Sequence, residues 1–326
     1  MPMTLSILDL AHIPAGSDAG TALRNALDYA RHADALGYKR LWYAEHHNMP
    51  GIASAATSIV IGQAAAVTSR IRVGAGGIML PNHSPLVIAE QFGTLEALFP
   101  GRIDLGLGRA PGADGPTWRA LRRDPGASDR FAEDVLELQA LLGPVQPGQR
   151  IRAVPGTDTN VPLWILGSSL FGAQLAARLG LPYAFASHFA PAALHDALTL
   201  YRTLFQPSAR LQQPYAVAGV NVICAETDTQ AQHLFTSLQQ VVIGLVTGTP
   251  GRLAPPVDSL APLPHHVQQR VDGFLGCSFV GAPATVRAEL DSFIAATGAD
   301  ELIIASAIFD PVARLRSCEL LAGACL

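Results

Sequence analysis

The sequence predicts an α/β protein closed as a (β/α)8 barrel of the TIM type, with insertions after strand 4 and before strand 8. Eight short apolar runs alternate with stretches of helical period along the chain, and parallel strands need such helical crossovers between them. The length, 326 residues, exceeds the roughly 250 that a closed barrel requires and leaves room for insertions. Eight units suit a closed barrel better than an open doubly wound sheet. No G-x-G-x-x-G follows the first run, which weakens a dinucleotide-binding reading.

The first strand is the apolar run Leu5–Leu10. Thr21–Leu36 follows as a helix with Leu23, Ala26, Leu27, Ala30 and Ala33 at helical spacing, and Gly37 is placed to cap its end. Leu41–Glu45 is the second strand, Ser54–Thr68 a small-residue helix, Ile71–Gly77 the third strand, Pro85–Leu98 a helix and Ile103–Leu107 the fourth strand. Gly108–Ser128, rich in Gly, Pro and Arg, is too polar for core and reads as an insertion. The alternation resumes with helix Arg130–Leu142, strand Pro162–Leu166, helix Ser169–Leu179, strand Tyr183–Ala186, helix Ala192–Phe205, strand Ala216–Ala225 and helix Thr229–Ile243. The Pro-rich stretch Thr249–Pro264 is a second insertion. Helix Ala284–Ala296, strand Leu302–Ala305 and a last helix from Pro311 complete the pattern. No linker divides it, so residues 1–326 are expected to form a single domain.

Composition bounds the function. Hydrophobic residues make up 49% and charged residues 15%, against roughly 25% charged in ordinary soluble domains. Either a partner subunit covers part of so poorly charged a surface, or the composition is simply rich in alanine. Net charge is −4 with no Lys/Arg cluster, which argues against a nucleic-acid partner. No charged region precedes an apolar run at the N-terminus, and no apolar stretch reaches the about 18 residues of a membrane span. The scattered Cys224, Cys277, Cys318 and Cys325 lack metal-type spacing and read as reduced thiols. A cytoplasmic protein is expected.

Active sites of such barrels lie at the carboxyl ends of the strands. Those ends carry Glu45-His46-His47-Asn48, Gly74-Ala75-Gly76-Gly77 with Met79 to His83 beyond, Gly106-Leu107-Gly108-Arg109, Gly167-Ser168-Ser169 and Ser187-His188. His46 and His47 cannot both face one ion from a continuing strand, because successive side chains point to opposite faces. No metal set is therefore assigned; one histidine reads as structural and the other, with Glu45, as part of a site. Gly74, Gly76 and Gly77 either admit a flat ligand against the strand end or relieve crowding inside the barrel. Ser168 and Ser169 ahead of a helical run offer hydroxyls, backbone N–H groups and the positive end of a helix dipole to an anion; the alternative is an ordinary helix cap. Arg109 at the neighbouring strand end favours the anion, since a guanidinium pairs with phosphate oxygens. Arg119, Arg122 and Arg123 read as solvent-facing or gating, and Phe171, Phe189 and Trp118 as either cavity lining or core.

These strand ends carry a resemblance. The segments LWYAEHHNMPGIASAATS, IRVGAGGIMLPNHSPLVIAEQFGTLEALFPGRIDLGLGRAPG, WILGSSLFGAQLAARLGLPYAFASHF and FVGAPATVRAEL make the chain similar, over essentially its full length, to the luciferase-like flavin-dependent monooxygenases. The likeness is to an uncharacterised bacterial branch and not to the light-emitting subunits, whose reactive cysteine and long mobile loop have no counterpart here.

The resemblance implies FMN at the carboxyl end of the barrel, a small organic substrate, and often a homodimer. It implies that Glu45 and His46 are catalytic, with the histidine moving protons and Glu45 orienting the histidine or the flavin. It places a non-prolyl cis peptide at Gly76–Gly77, the phosphate-binding arginine at Arg109 and a phosphate cradle at Ser168 and Ser169. Gly172 stands where the luciferase subunit supplies a further hydroxyl. Together with Met79, Gly167 and His188 at the same rim, these are the expected cofactor-binding residues. The reaction implied is hydroxylation or oxidative cleavage with O2 and reduced FMN, delivered transiently by a separate flavin reductase because no nicotinamide motif is visible. A deazaflavin-dependent reductase on the same barrel, a non-catalytic flavin-binding protein and a metal-dependent hydrolase are the rival readings.

Overall fold

The computed structural model describes residues 2–110, 115–123 and 125–326. Its strands are β1 (Leu5–Asp9), β2 (Arg40–Tyr43), β3 (Arg72–Met79), β4 (Ile103–Gly108), β5 (Leu163–Gly167), β6 (Tyr183–Phe185), β7 (Ala216–Cys224), β8 (Ser278–Gly281) and β9 (Glu301–Ala305). The helices are α1 (Ala19–Leu36), α2 (Thr57–Ala66), α3 (Pro85–Leu98), α4 (Gly115–Ala120), α5 (Phe131–Leu142), α6 (Leu170–Leu179), α7 (Leu194–Leu204), α8 (Asp228–Thr247), α9 (His265–Phe274), α10 (Pro283–Thr297) and α11 (Pro311–Cys325). The strands pair in the order β6-β5-β4-β3-β2-β1-β9-β7, and β6 pairs with β7 to close the ring. Every pairing is parallel. The fold is a (β/α)8 TIM barrel.

Strand β8 lies outside the expected eight. It pairs with the C-terminal part of β7, Asn221 opposite Ser278 through Cys224 opposite Gly281, where β7 has run beyond its pairing with β6. Four residues with two large apolar side chains give too little period to separate a strand from the approach to a helix. Helix α9 was missed for a related reason: in HHVQQRVDGF only Val271 is buried. The first insertion contains α4 and a 3-10 turn over Pro125–Arg130; residues 111–114 and 124 of it lie outside the described residues. The second, 249–264, is irregular as expected.

Side chains alternate along the strands as a barrel requires. Ile7, Leu41, Ile165 and Tyr183 point outward into the main core shared with the helices. Leu8, Trp42, Trp164, Ala184, Val217 and Ile303 fill the interior, where the Trp42 and Trp164 rings meet edge to face at 5.1 Å.

Buried charges occupy the amino-terminal mouth. Arg40 donates to Asp104 at 2.7 Å and to Glu301 at 2.7 and 3.1 Å. Arg72 donates to Asp104 from the other side, and the Tyr215 hydroxyl donates to Glu301. Each carboxylate is thus satisfied by several donors, which is what makes its burial affordable. The opposite, carboxyl-terminal mouth is left for chemistry.

Candidate active site

A cavity of about 660 Å3 opens at the carboxyl ends of the strands, within the size range of small-molecule and cofactor sites. All ten residues assigned from the sequence line it: Glu45, His46, Gly76, Gly77, Met79, Arg109, Gly167, Ser168, Ser169 and His188. Phe171 and Phe189 line it too, while Trp118 is not among its walls.

One end suits an anion. Arg109 follows β4, and its guanidinium stacks on the Phe171 ring at 4.3 Å from the centroid; no carboxylate pairs with it among the described residues. Facing that end is the start of α6, where Ser169 occupies the cap position in extended backbone but its side chain accepts no hydrogen bond from the first turn. Among the described residues nothing hydrogen-bonds the Ser168 and Ser169 hydroxyls, and the first N–H groups of α6 have no cap. The neighbouring glycines leave room: a methyl group at Gly167 would meet nothing nearer than 3.7 Å, and at Gly108 nothing nearer than 3.8 Å.

The β3 glycines behave differently. A methyl group at Gly74 would stand 2.3 Å from the Asp104 carbonyl, at Gly76 2.7 Å from Leu8, and at Gly77 2.8 Å from the Gly106 carbonyl. Close packing of the barrel on itself is what excludes side chains here, so these glycines do not by themselves indicate a ligand. The Gly76–Gly77 peptide is cis.

The polar end differs from expectation at Glu45. β2 stops at Tyr43, and the irregular chain beyond it frees residues 45–47 from strand alternation. Glu45 does not hold His46. Its Oε1 accepts from His47 at 2.6 Å and His83 at 2.7 Å, and its Oε2 accepts the Met79 N–H at 2.9 Å. Burial would raise its pKa, but the two histidines and the Met79 amide outweigh burial and hold the carboxyl at about 2. The bond to Glu45 in turn raises His47 above its ordinary value, against burial. The ligand atoms of Glu45, His47 and His83 lie within 4.8 Å of one another. Their separations are those of hydrogen bonds, whereas ligands of a tetrahedral ion at about 2.0–2.1 Å stand roughly 3.3 Å apart.

His46 is left facing the cavity, its pKa lowered by burial. Besides the adjacent His47, two cavity-lining imidazoles stand near it. His188 is held down to about 4 by burial and then by His46. His12 is held to about 4 by burial and then by the Arg314 guanidinium. Sequence reasoning missed His12, although it lies three residues past β1 on the rim that was inspected at other strands. It also missed Asp9 and Arg314, which line the cavity as an ion pair at 2.8 Å. Arg314 comes from α11, 305 residues away in sequence, and no local pattern announces it.

The remaining wall is apolar. Leu238, Val241, Val242 and Leu245 of α8, Leu253 and Phe274 face the cavity. The 250–253 segment is tied over the rim by Leu253 N–H to Ile13 (3.0 Å), Ala15 N–H to Leu253 (2.7 Å) and Arg252 to Ser17 (2.7 Å).

Comparison with known proteins gives the family. The profile of the family described as luciferase-like monooxygenase matches residues 3–301. A luciferase-like monooxygenase of Escherichia coli is 53% identical over 320 residues, covering 98% of this chain and 96% of its own. An N-acetyl-S-alkylcysteine monooxygenase of Bacillus subtilis is 34% identical, covering 75% of this chain and 74% of its own. The crystal structure of apo-MsnO8 superposes with a TM-score of 0.91 at 38% identity, over 99% of this chain and 98% of that one. Two more distant structures share the fold at TM-score 0.72: the FMN complex of the oxygenating constituent of 3,6-diketocamphane monooxygenase from Pseudomonas putida (18% identity, 99% and 97% coverage) and an F420-dependent secondary alcohol dehydrogenase (16%, 99% and 98%). On its profile match, its close relatives and the shared barrel, this chain is an enzyme belonging to the luciferase-like monooxygenase family.

Proposed function

We propose that this protein is an FMN-dependent, two-component monooxygenase that uses O2 on a small organic substrate, with reduced FMN supplied by a separate flavin reductase. The observation that carries the reading is the unspent anion site, Arg109 facing the uncapped start of α6 at one end of the cavity. Arg109, Ser168, Ser169 and Gly167 would hold the FMN phosphate, and Gly76, Gly77, Met79 and His188 would stand along the flavin. Bound reduced FMN supplies the electrons that activate oxygen.

The chain's own groups do the rest. His46, kept largely neutral by burial, takes up or returns a proton at a ring nitrogen. Glu45 does not touch His46; it anchors His47, His83 and the end of β3. The apolar wall from α8, Leu253 and Phe274 excludes water and receives the organic body of the substrate. The name of the N-acetyl-S-alkylcysteine monooxygenase supports substrates of that size class.

No helix among the described residues is long and apolar enough to cross a membrane, and the four cysteines are free and buried, which supports a reducing, cytoplasmic setting. Exposed Ile59 on α2 and Val87 and Leu98 on the neighbouring α3 support a homodimer of single-domain subunits, tested by solution mass.

The test is a fluorescence and absorbance titration with oxidised FMN, reduced FMN, riboflavin and coenzyme F420. FMN bound more tightly than riboflavin, with the reduced form preferred, is the expected result. Binding of F420 in place of FMN would convert the reading to a deazaflavin reductase, and binding of neither flavin would end it. In turnover, His46→Ala is expected to abolish product while leaving FMN affinity unchanged.

A further inference from the structure

His188 stands just after β6 and faces the cavity. Its Nδ1 is inaccessible and has no hydrogen-bond partner among the described residues. That edge of the ring lies on the backbone of Gly219 in β7, where a methyl group would stand 2.5 Å from Nδ1 and 3.4 Å from Cε1. The ring is also confined on other sides. The Phe189 ring meets it edge-on at 5.0 Å. Asn221 donates to the His188 carbonyl at 2.7 Å, and the Ser187 hydroxyl donates to the Gly219 carbonyl at 2.6 Å.

A neutral imidazole carries one N–H and one lone pair. Nδ1 is unpaired in either tautomer, but a hydrogen there needs space that the Gly219 backbone occupies, whereas a bare lone pair needs none. We propose that His188 is a tautomer-locked hydrogen-bond donor: packing on Gly219 confines the ring proton to Nε2, which offers its N–H to an acceptor oxygen in the cavity. That oxygen belongs either to the flavin or to its co-substrate, a part of the proposal that rests on the flavin reading. Burial keeps the ring neutral, with His46 as the titratable group acting on it; Ser187, Phe189, Gly219 and Asn221 around it carry no charge. Such a donor stabilises an oxygen that gains negative charge without itself changing charge across the working pH range.

Apoprotein labelled with 15N-histidine tests the lock directly, with the His188 signals assigned by their loss in His188→Gln. Two-bond 15N–1H correlations are expected to show hydrogen on Nε2 and a bare Nδ1 from about pH 6 to 8. An Nδ1–H tautomer, or an imidazolium in that range, overturns the proposal. FMN is then added, followed by N,N-dimethylacetamide as a carbonyl probe. A shift of the Nε2–H signal on FMN assigns the acceptor to the flavin, and a shift on the amide alone assigns it to the co-substrate. No shift with either overturns the donor role. Fluorescence in the same titration reports FMN binding separately, so failure of the flavin reading is not mistaken for failure of the lock. For the flavin-acceptor outcome, His188→Leu is expected to weaken FMN by about tenfold and His188→Gln, which keeps a donor near Nε2, by much less.

Discussion

The Arg109 guanidinium at the end of β4 lies 4.3 Å from the centre of the Phe171 ring at the start of α6. A cation held on an aromatic face, with no carboxylate beside it among the described residues, keeps its donors for an incoming anion. The contact joins the two elements that the sequence proposed separately as halves of one phosphate site.

Removing that cation should cost phosphate recognition selectively. A hydrogen-bonded charge pair is worth about 1.5–3 kcal/mol, so Arg109→Ala is expected to raise the FMN dissociation constant by about 10- to 100-fold. Riboflavin, which lacks the phosphate, should bind variant and wild type alike. Equal weakening of both ligands would sink the phosphate assignment.

The Glu45–His47 bond makes a pH-dependent prediction whose sign follows from the two shifts. Glu45 titrates at about 2 against an ordinary 4.5, so its contribution to stability is present above the ordinary value and is lost as pH falls through the depressed one. His47 is raised above 6.5, so its contribution is complete below 6.5 and fades as pH rises through the raised value. The stability advantage of wild type over His47→Gln should therefore peak near about pH 5.5 and shrink in both directions. Melting temperatures across that range check it; a flat difference would contradict the pairing.

Much of this was legible in the sequence because barrel rules act locally. A βα alternation prescribes eight parallel strands, and the strand-end rule led directly to Glu45–His47, Arg109 and Ser168–Ser169. What escaped depends on distance or on exposure. Strand β8 is seen only against the extended β7, and α9 carries too little apolar period to stand out. His47 and His83 as partners of Glu45 escaped because residues 45–47 lie past the end of β2, where alternation no longer governs direction. The Asp9–Arg314 pair joins opposite ends of the chain. The β3 glycines invited a ligand reading, while their actual neighbours are the Asp104 and Gly106 carbonyls and the Leu8 side chain.

The amino-terminal mouth offers a test of stability apart from function. Arg40 bridges Asp104 and Glu301, which are both essentially buried. Arg40→Leu leaves two carboxylates in the barrel with fewer donors, a change expected to cost about 3–5 kcal/mol in urea unfolding. FMN affinity of the folded fraction should stay near wild type, since the substitution lies at the other end of the barrel.

The rim strap supplies the last prediction. Gly51 approaches the 250–253 segment so closely that a methyl group would stand 2.3 Å from the Gly251 carbonyl, and that contact is with backbone, which cannot swing aside as a side chain would. Gly51→Ala should push the segment outward and weaken the Leu253–Ile13 and Ala15–Leu253 bonds that hold it over the cavity. Two bonds at about 1 kcal/mol each bring local opening closer by roughly one to one and a half decades. Amide exchange at Ala15 and Leu253 should accelerate by that order, while Met3, whose N–H bonds the Cys325 carbonyl elsewhere in the fold, should be unaffected. Uniform acceleration at all three would show global destabilisation instead of an opened strap.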